Sequence, residues 1–341
     1  HDRHSGGTHR PGVRVGQYLL MSTPAQFQDF DPNAAASPGS GIFGLPCSRE
    51  NSRIVILPVP FDATTSYRPG TADGPNAIFD ASMQVDLFDA RFGPVYARGI
   101  WMEEEDDRIR SWNDEARRIA KPIIEAGGAD PADPRHAEAL ASVAAACERV
   151  QALVYDHTKA VLDEGKVPAL VGGEHSTPLG AIRAVAERYP GVGVLHIDAH
   201  FDLRDAFEGF AYSHASIMHN VLTRLPQVGK LVSVGIRDFG EGEMTFARAQ
   251  GPRCQTFFDH DLADELLRGG TFAAITERII AALPRQVYVS FDIDALDPSL
   301  CPHTGTPVPG GLTFNQASFL LEALRKSGRT VVGFDLVEVA P

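Results

Sequence analysis

An α/β fold of three layers, with a mostly parallel central sheet between helices, is what this sequence predicts, on three observations. Six short segments are dense in β-branched residues. They are near-continuously apolar rather than alternating, the pattern of strands buried on both faces. Helical spacings fill stretches between them, which favours one α/β domain over two separate ones. With 341 residues, 43% of them hydrophobic and 22% charged, the chain is long enough to bury a large core.

Residues 1–50 are rich in Gly, Pro, Ser and His and have little periodicity, so they read as an extension, either flexible or in contact with a neighbouring subunit. The domain is placed at residues 51–341. Its first strand is RIVILPVPF (53–61), followed by the turn-rich DATTSYRPGTADGPNAI, which Pro69-Gly70 and Gly74-Pro75 punctuate as a long loop. Asp133-Pro134 is an N-cap and first-turn pair, after which Leu140, Val143, Cys147, Val150, Val154 and Val161 recur at helical spacing. VPALVGG (167–173) is the next strand. A helix starting at Thr177-Pro178 then buries Leu179, Ile182 and Val185. The remaining strands are GVGVLHID (191–198), KLVSVGI (230–236), QVYVSFDID (286–294) and TVVGFDLVEV (330–339).

A formal net charge of −13 with no long basic run argues against a nucleic-acid partner or an anionic membrane surface. No apolar run reaches membrane-spanning length. The four cysteines, Cys47, Cys147, Cys254 and Cys301, are far apart without a CxxC pair, which fits a reducing cytoplasm and argues against a thiolate zinc site.

Three segments at predicted strand ends concentrate metal-ligand side chains. In HIDAHFD, Asp198, His200 and Asp202 are spaced i, i+2, i+4, and an extended backbone would aim all three to one side. Asp292 and Asp294 in SFDIDALDP repeat the spacing, and His175 in GGEHS supplies a second imidazole. Four buried carboxylates need cations to neutralise them, and a pair of divalent ions does so. Carboxylate oxygen with one imidazole per metal suits Mn2+ first; Ni2+, cobalt or zinc is also compatible. His196 and His219 read as structural, among apolar neighbours.

GGEHS, DAHFD and SFDIDALDPS together resemble the signature segments of the ureohydrolase family, which includes arginase, agmatinase, guanidinobutyrase and formimidoylglutamase. The likeness covers roughly residues 53–341, and PFDATTSYRPGTADGPNAI is similar to the agmatinase-side loop. The resemblance implies two metals: one held by His175, Asp198, Asp202 and Asp292, the other by His200, Asp198, Asp292 and Asp294, with Asp198 and Asp292 bridging. It further implies catalytic roles for Asp202 as proton carrier, Glu338 as the guanidinium-binding carboxylate and His214 as the loop histidine that shuttles a proton. A small guanidino substrate, release of urea, and a homo-oligomer of trimeric or hexameric type complete what it implies.

Two stretches depart from arginases. Arg204 and Phe210 stand where arginases read an amino acid's α-carboxylate and α-amino group, and Gly240 replaces an acidic residue. Phe201, Phe207, Phe210 and Tyr212 are either pocket walls or packing residues, and Arg204 near the mouth favours an anionic or neutral tail. Agmatine-type hydrolysis ranks first on the resemblance of residues 60–78. Guanidinobutyrate, guanidine or a substituted guanidine, formimidoylglutamate, and a catalytically inactive metal-binding paralogue are the alternatives. Glu174 stands where many relatives have Asp, outside the ligand set. Relatives also continue past the position of Glu338 into a C-terminal helix, so either the sequence is a fragment or the domain lacks that cover, and a bare last strand would be prone to lose stability.

Overall fold

Eight strands make one sheet in the computed structural model, which describes residues 27–341. They are β1 (Ile54–Val59), β2 (Ile100–Met102), β3 (Val167–Gly172), β4 (Gly193–Ile197), β5 (Lys230–Ile236), β6 (Cys254–Phe258), β7 (Gln286–Asp292) and β8 (Thr330–Val337). Their spatial order is β2-β1-β3-β8-β7-β4-β5-β6, and every neighbouring pair is parallel. The six strands expected from the sequence are the inner six. Edge strands β2 and β6 are the ones that periodicity did not reveal: IWM is only three residues long, and each residue of CQTFF is only half-buried, so neither carries a two-faced apolar pattern. The last strand, β8, is not an edge, because β3 and β7 pair with it on either side.

Nine helices connect the strands among the described residues: α1 (Gly74–Ser82), α2 (Asp107–Glu125), α3 (Pro134–Asp163), α4 (Leu179–Arg188), α5 (Ile217–Arg224), α6 (Glu241–Ala249), α7 (Asp259–Leu267), α8 (Phe272–Ala282) and α9 (Phe314–Lys326). Asp133 caps α3 by accepting the Arg135 N–H, and Pro134 takes the first turn, where no backbone donor is needed. The α3 stripe Val143, Cys147, Val150 and Val154 packs with Ile182 and Val185 of α4 in a cluster on one face of the sheet. On the opposite face, Ile275, Ile279, Leu320 and Leu324 of α8 and α9 cover Leu195, Ile197, Val287 and Val289. These are the three expected layers. An apolar groove of about 450 Å³ lies over β7 and β8 beside α9, lined by Phe291, Phe334, Leu336, Phe314 and Leu321.

The predicted extension divides in two. Residues 1–26 lie outside the described residues, whereas Phe27, Ile42, Leu45 and Cys47 are buried against the domain. No helix among the described residues is long and apolar enough to cross a membrane.

Candidate active site

Four adjacent central strands, β3, β8, β7 and β4, deliver their C-terminal ends to one place, where α/β sheets commonly build ligand sites. His175 follows β3, Glu338 follows β8, Asp292 ends β7 with Asp294 on the next 3-10 turn, and Asp198, His200 and Asp202 follow β4. Parallel register thus assembles residues separated by up to 163 positions. Gly173 permits the approach of β3's end to Phe61: a Cβ there would lie 2.1 Å from the Phe61 carbonyl oxygen.

The six expected ligands come together in two groups. His175 Nδ1 faces Asp198 Oδ2 at 2.9 Å, Asp202 Oδ2 at 3.0 Å and Asp292 Oδ2 at 3.4 Å. His200 Nδ1 faces Asp294 Oδ2 at 3.0 Å and Asp198 Oδ1 at 3.6 Å. Asp198 therefore presents one oxygen to each group. The other Asp292 oxygen, Oδ1, accepts the Asp294 N–H at 2.8 Å, so the backbone already engages it.

The reason these side chains converge differs from the sequence argument. Strand β4 ends at Ile197, and residues 198–202 do not continue it as a regular strand, although His200 still bridges to Asp238. Asp198 Oδ1 instead accepts the His200 N–H at 2.6 Å in a tight turn, and Asp202 adopts a φ of 55°. That left-handed conformation is pinned by the Asp202 carbonyl, which accepts both the Met218 and His219 N–H at the start of α5. The turn sends His200 and Asp202 to different groups rather than to one side.

The residues fit divalent ions. His175 Nδ1 is buried without a hydrogen-bond partner while carboxylate oxygens surround it, which is the donor set of a cation site. Among the described residues, the His/Asp clusters with atoms close enough to hold a metal are His175, His196, Asp198 and Asp202, and Asp198, His200 and Asp294; Asp292 stands outside both and meets the first through His175 at 3.4 Å. Charge crowding shows in the titration directions. Burial opposes a proton on His175, but the carboxylates of Asp198, Asp202 and Asp292 outweigh it and raise the imidazole well above its ordinary value. Burial, then Asp294 and Asp198, raises Asp292; burial, then Asp198, pushes Asp202 to about 6. A cation between these groups relieves the same repulsion.

Glu338 has a φ of 61° and is held at both ends: its N–H donates to the Gly173 carbonyl at 2.8 Å, and its Oε1 accepts the His175 N–H at 2.7 Å. Burial, then Glu174, raises its carboxyl well above the usual range. His214 opens the turn before α5, half-buried, with Nε2 3.4 Å from Ser66 Oγ and its ring edge-on to Phe207 at 5.9 Å. Burial, then the charges on His200 and His175, lowers it to about 3, so its ring is neutral. Glu174 has no part in either group. It accepts from Thr64 N–H, Thr64 Oγ1, Thr65 Oγ1 and Ser176 Oγ, tying the 62–66 loop to the site.

Two readings of the sequence need correction, and a third, left open between pocket walls and packing, is decided. His196 is not a histidine among apolar neighbours, because its ring bonds Asp198 and Ser233. Phe201 and Phe210 are core residues, Phe201 packing on Phe239 and Phe258, and the Tyr212 hydroxyl is engaged by Glu148 and Arg224; only Phe207 of the four borders His214. Arg204 stacks over the Phe207 ring at 4.9 Å with its Nε 3.5 Å from Glu243 Oε2, so its charge is already partnered. Sequence reasoning also missed Ser290, whose hydroxyl lies 2.9 Å from His175 Nε2 and donates to Asp335 Oδ1 at 3.0 Å. His175 is thus oriented from its far side, as ligating histidines usually are.

A parallel sheet carrying buried, clustered His and Asp side chains at its C-terminal edge defines the class: an α/β protein with a candidate metal centre. Comparisons with known proteins make the assignment particular. The arginase family profile matches residues 52–341. N(1)-aminopropylagmatine ureohydrolase of Thermus thermophilus is 34% identical over 293 residues, covering 86% of this chain and 84% of that protein. Agmatinase of Bacillus anthracis is 30% identical, covering 86% of each. Among solved structures, agmatine ureohydrolase of Thermoplasma volcanium superposes with a TM-score of 0.64 at 26% identity, covering 86% of this chain and 84% of that one. The chain belongs to the arginase family, a binuclear metal-dependent family.

Proposed function

We propose that this protein hydrolyses a small guanidino compound to urea and an amine, in the manner of an agmatinase. The observation that carries this reading is the orphaned His175 Nδ1 among three carboxylates, with Glu338 fixed beside it through the His175 amide. Named relatives acting on agmatine and aminopropylagmatine support the substrate class over the formimidoyl and inactive alternatives.

Bound divalent ions, Mn2+ before Ni2+, would supply the Lewis acidity that makes water nucleophilic near neutral pH. By the family resemblance, His175, Asp198, Asp202 and Asp292 would hold one, and His200, Asp198, Asp292 and Asp294 the other. Glu338 pairs with the substrate guanidinium, whose positive charge relieves the buried carboxylate and fixes the reacting carbon. Asp202, pushed to about 6, accepts a proton from the attacking water and returns it to the departing amine. His214 is neutral, and its role is to accept and pass on protons at the mouth.

Arg204 gives no preference for an anionic tail once Glu243 and Phe207 engage it, which leaves a cationic tail such as that of agmatine as the first choice. Four free cysteines support a reducing, cytoplasmic setting. Residues 51–341 form the catalytic domain of this reading, and the assembly is a trimer or hexamer, which light scattering tests. The deciding experiment is urea release from agmatine, aminopropylagmatine, guanidinobutyrate, arginine, guanidine and N-alkylguanidines, each with Mn2+ and with Ni2+. Urea from agmatine-type substrates is the expected result. Bound metal without urea from any of them overturns the reading.

A further inference from the structure

The His196 imidazole is fully buried, and both its nitrogens are engaged. Nε2 lies 2.7 Å from Asp198 Oδ2, and Nδ1 lies 3.1 Å from Ser233 Oγ. Neither contact is incidental to the fold. His196 and Asp198 are two positions apart at the end of β4, and His196 sits in direct register with Ser233 of β5 on one side and Ser290 of β7 on the other. Ser290 is in turn in register with Asp335 of β8. A row of polar side chains, Asp335, Ser290, His196 and Ser233, thus crosses four strands directly beneath the metal-ligand groups.

Hydrogen-bond chemistry fixes the direction of the His196 chain. An ionised Asp198 only accepts, so Nε2 must carry the proton and donate it. In the neutral imidazole, Nδ1 is then an acceptor, and the Ser233 hydroxyl donates to it. Asp198 Oδ1 is held by the His200 N–H at 2.6 Å. Both oxygens of the carboxylate that faces both groups are therefore anchored, and rotation about its Cβ–Cγ bond is blocked.

We propose that His196 is a positioning residue for the two-metal centre: with Ser233 setting its tautomer, it clamps the Asp198 carboxylate in the orientation that serves both ions at once. This rests on the metal-binding role proposed above for Asp198. A clamp on a shared carboxylate differs from a ligand of one ion in what its loss does. Removing a ligand such as His175 empties one position, whereas removing the clamp weakens both and empties neither. It also differs from simple packing, because another N–H donor of similar reach restores a clamp but does not restore an imidazole's shape.

The test is calorimetric titration of Mn2+ into the metal-free full chain, for the wild type, His196→Ala, His196→Gln and Ser233→Ala. Outer partners of metal ligands usually contribute about 10–100-fold in affinity, and His196→Ala is expected to weaken both ions by that order with a stoichiometry of two retained. His196→Gln, keeping an N–H donor, recovers most of the loss, and Ser233→Ala shows a smaller, several-fold weakening at both ions. Metal-free melting curves of each variant establish that it is folded, and Ser233→Ala keeps the test open if His196→Ala does not fold. Wild-type affinity in both His196→Ala and Ser233→Ala overturns the proposal, as does loss of a single ion in His196→Ala or failure of His196→Gln to recover. A wild-type protein that binds no metal sinks the two-metal reading itself, which is a separate result.

Discussion

Glu338 and His175 are joined by a 2.7 Å hydrogen bond from the His175 N–H to Glu338 Oε1, although 163 residues separate them. The bond sets a candidate substrate carboxylate at a fixed position relative to a candidate metal ligand. Because Glu338 is buried and held at both its N–H and its Oε1, its side chain has little freedom to compensate for a change. Glu338→Gln keeps an acceptor for the amide but removes the charge that pairs with a guanidinium. It is expected to lower kcat/KM by about 10²–10³-fold, the usual effect of losing one preorganised electrostatic contact to the reacting group. Metal content should stay at the wild-type level. Steady-state urea release with elemental analysis checks both, and kcat/KM within about threefold of wild type would remove Glu338 from the reaction.

Asp198 presents Oδ2 to the His175 group and Oδ1 to the His200 group, whereas His175 and Asp294 each face one group. Asp198→Asn is therefore expected to abolish binding of both ions, and Asp292→Asn to do the same if its backbone-engaged oxygen turns to bridge. His175→Ala and Asp294→Asn should each lose one ion. Metal stoichiometry in the four variants reads this directly. Two ions retained in Asp198→Asn would defeat the bridging assignment.

His214 is held neutral by burial first and then by the positive charge of His200 and His175, and bound cations would repel a proton in the same sense. Its protonation therefore cannot set the acid limb of a pH–rate profile near neutrality. His214→Asn should lower kcat about 10²-fold or more, the usual contribution of a positioned proton-transfer group. The shape of the profile between about pH 6 and 9 should not change, because the ordinary range of His protonation is already vacated. A shifted acid limb in the variant would show that His214 titrates there.

What the sequence disclosed follows a physical line. Inner strands and the clustered His and Asp residues were legible because burial on two faces and carboxylate clustering both leave compositional marks, as in QVYVSFDID and HIDAHFD. Ser290, His196, Ser233 and Asp335 were not recognised as a group, since their proximity comes from strand order β8-β7-β4-β5, which no local pattern encodes. A partial signal existed: Ser290 precedes Asp292 by two residues and His196 precedes Asp198 by two, so the period-2 rule run backwards from each ligand points to both. The pairing of Arg204 was invisible for another reason. Glu243, its partner, lies 39 residues on, and is placed by donors at Leu203 and Gly240.

Glu174 makes stability depend on pH. Burial, with a further push from Asp62 against four hydrogen-bond donors, raises its carboxyl to about 7. Between its unfolded value of about 4.3 and that folded value, the native state holds a proton the unfolded chain has released. The stabilisation is fully present below the unfolded value and is lost as pH rises through about 7, a change on the order of 3 kcal/mol. Glu174→Gln removes this component. Urea unfolding of the metal-free wild type and variant at pH 5, 6, 7 and 8 should give a difference in unfolding free energy that shifts in the variant's favour as pH rises. An equal difference at every pH overturns the assignment.

Arg237, at the end of β5, gathers the segment that carries Asp294. Its guanidinium donates to the carbonyls of Asp294 at 2.7 Å, Val308 at 2.9 Å, and Leu296 and Gly235 at 3.2 Å. These acceptors lie on different parts of the 235–308 region, and only a planar fork of several N–H groups reaches them together. Arg237→Lys keeps the charge and loses the fork, leaving carbonyls without donors; each buried acceptor so stranded costs about 1–3 kcal/mol. A loss of about 3 kcal/mol in unfolding free energy is expected on that scale. Because Asp294 faces only the His200 group, affinity for one ion should fall while the ion beside His175 keeps its wild-type affinity. Equal weakening of both ions in Arg237→Lys would show instead that the loop from 293 to 308 supports the whole centre.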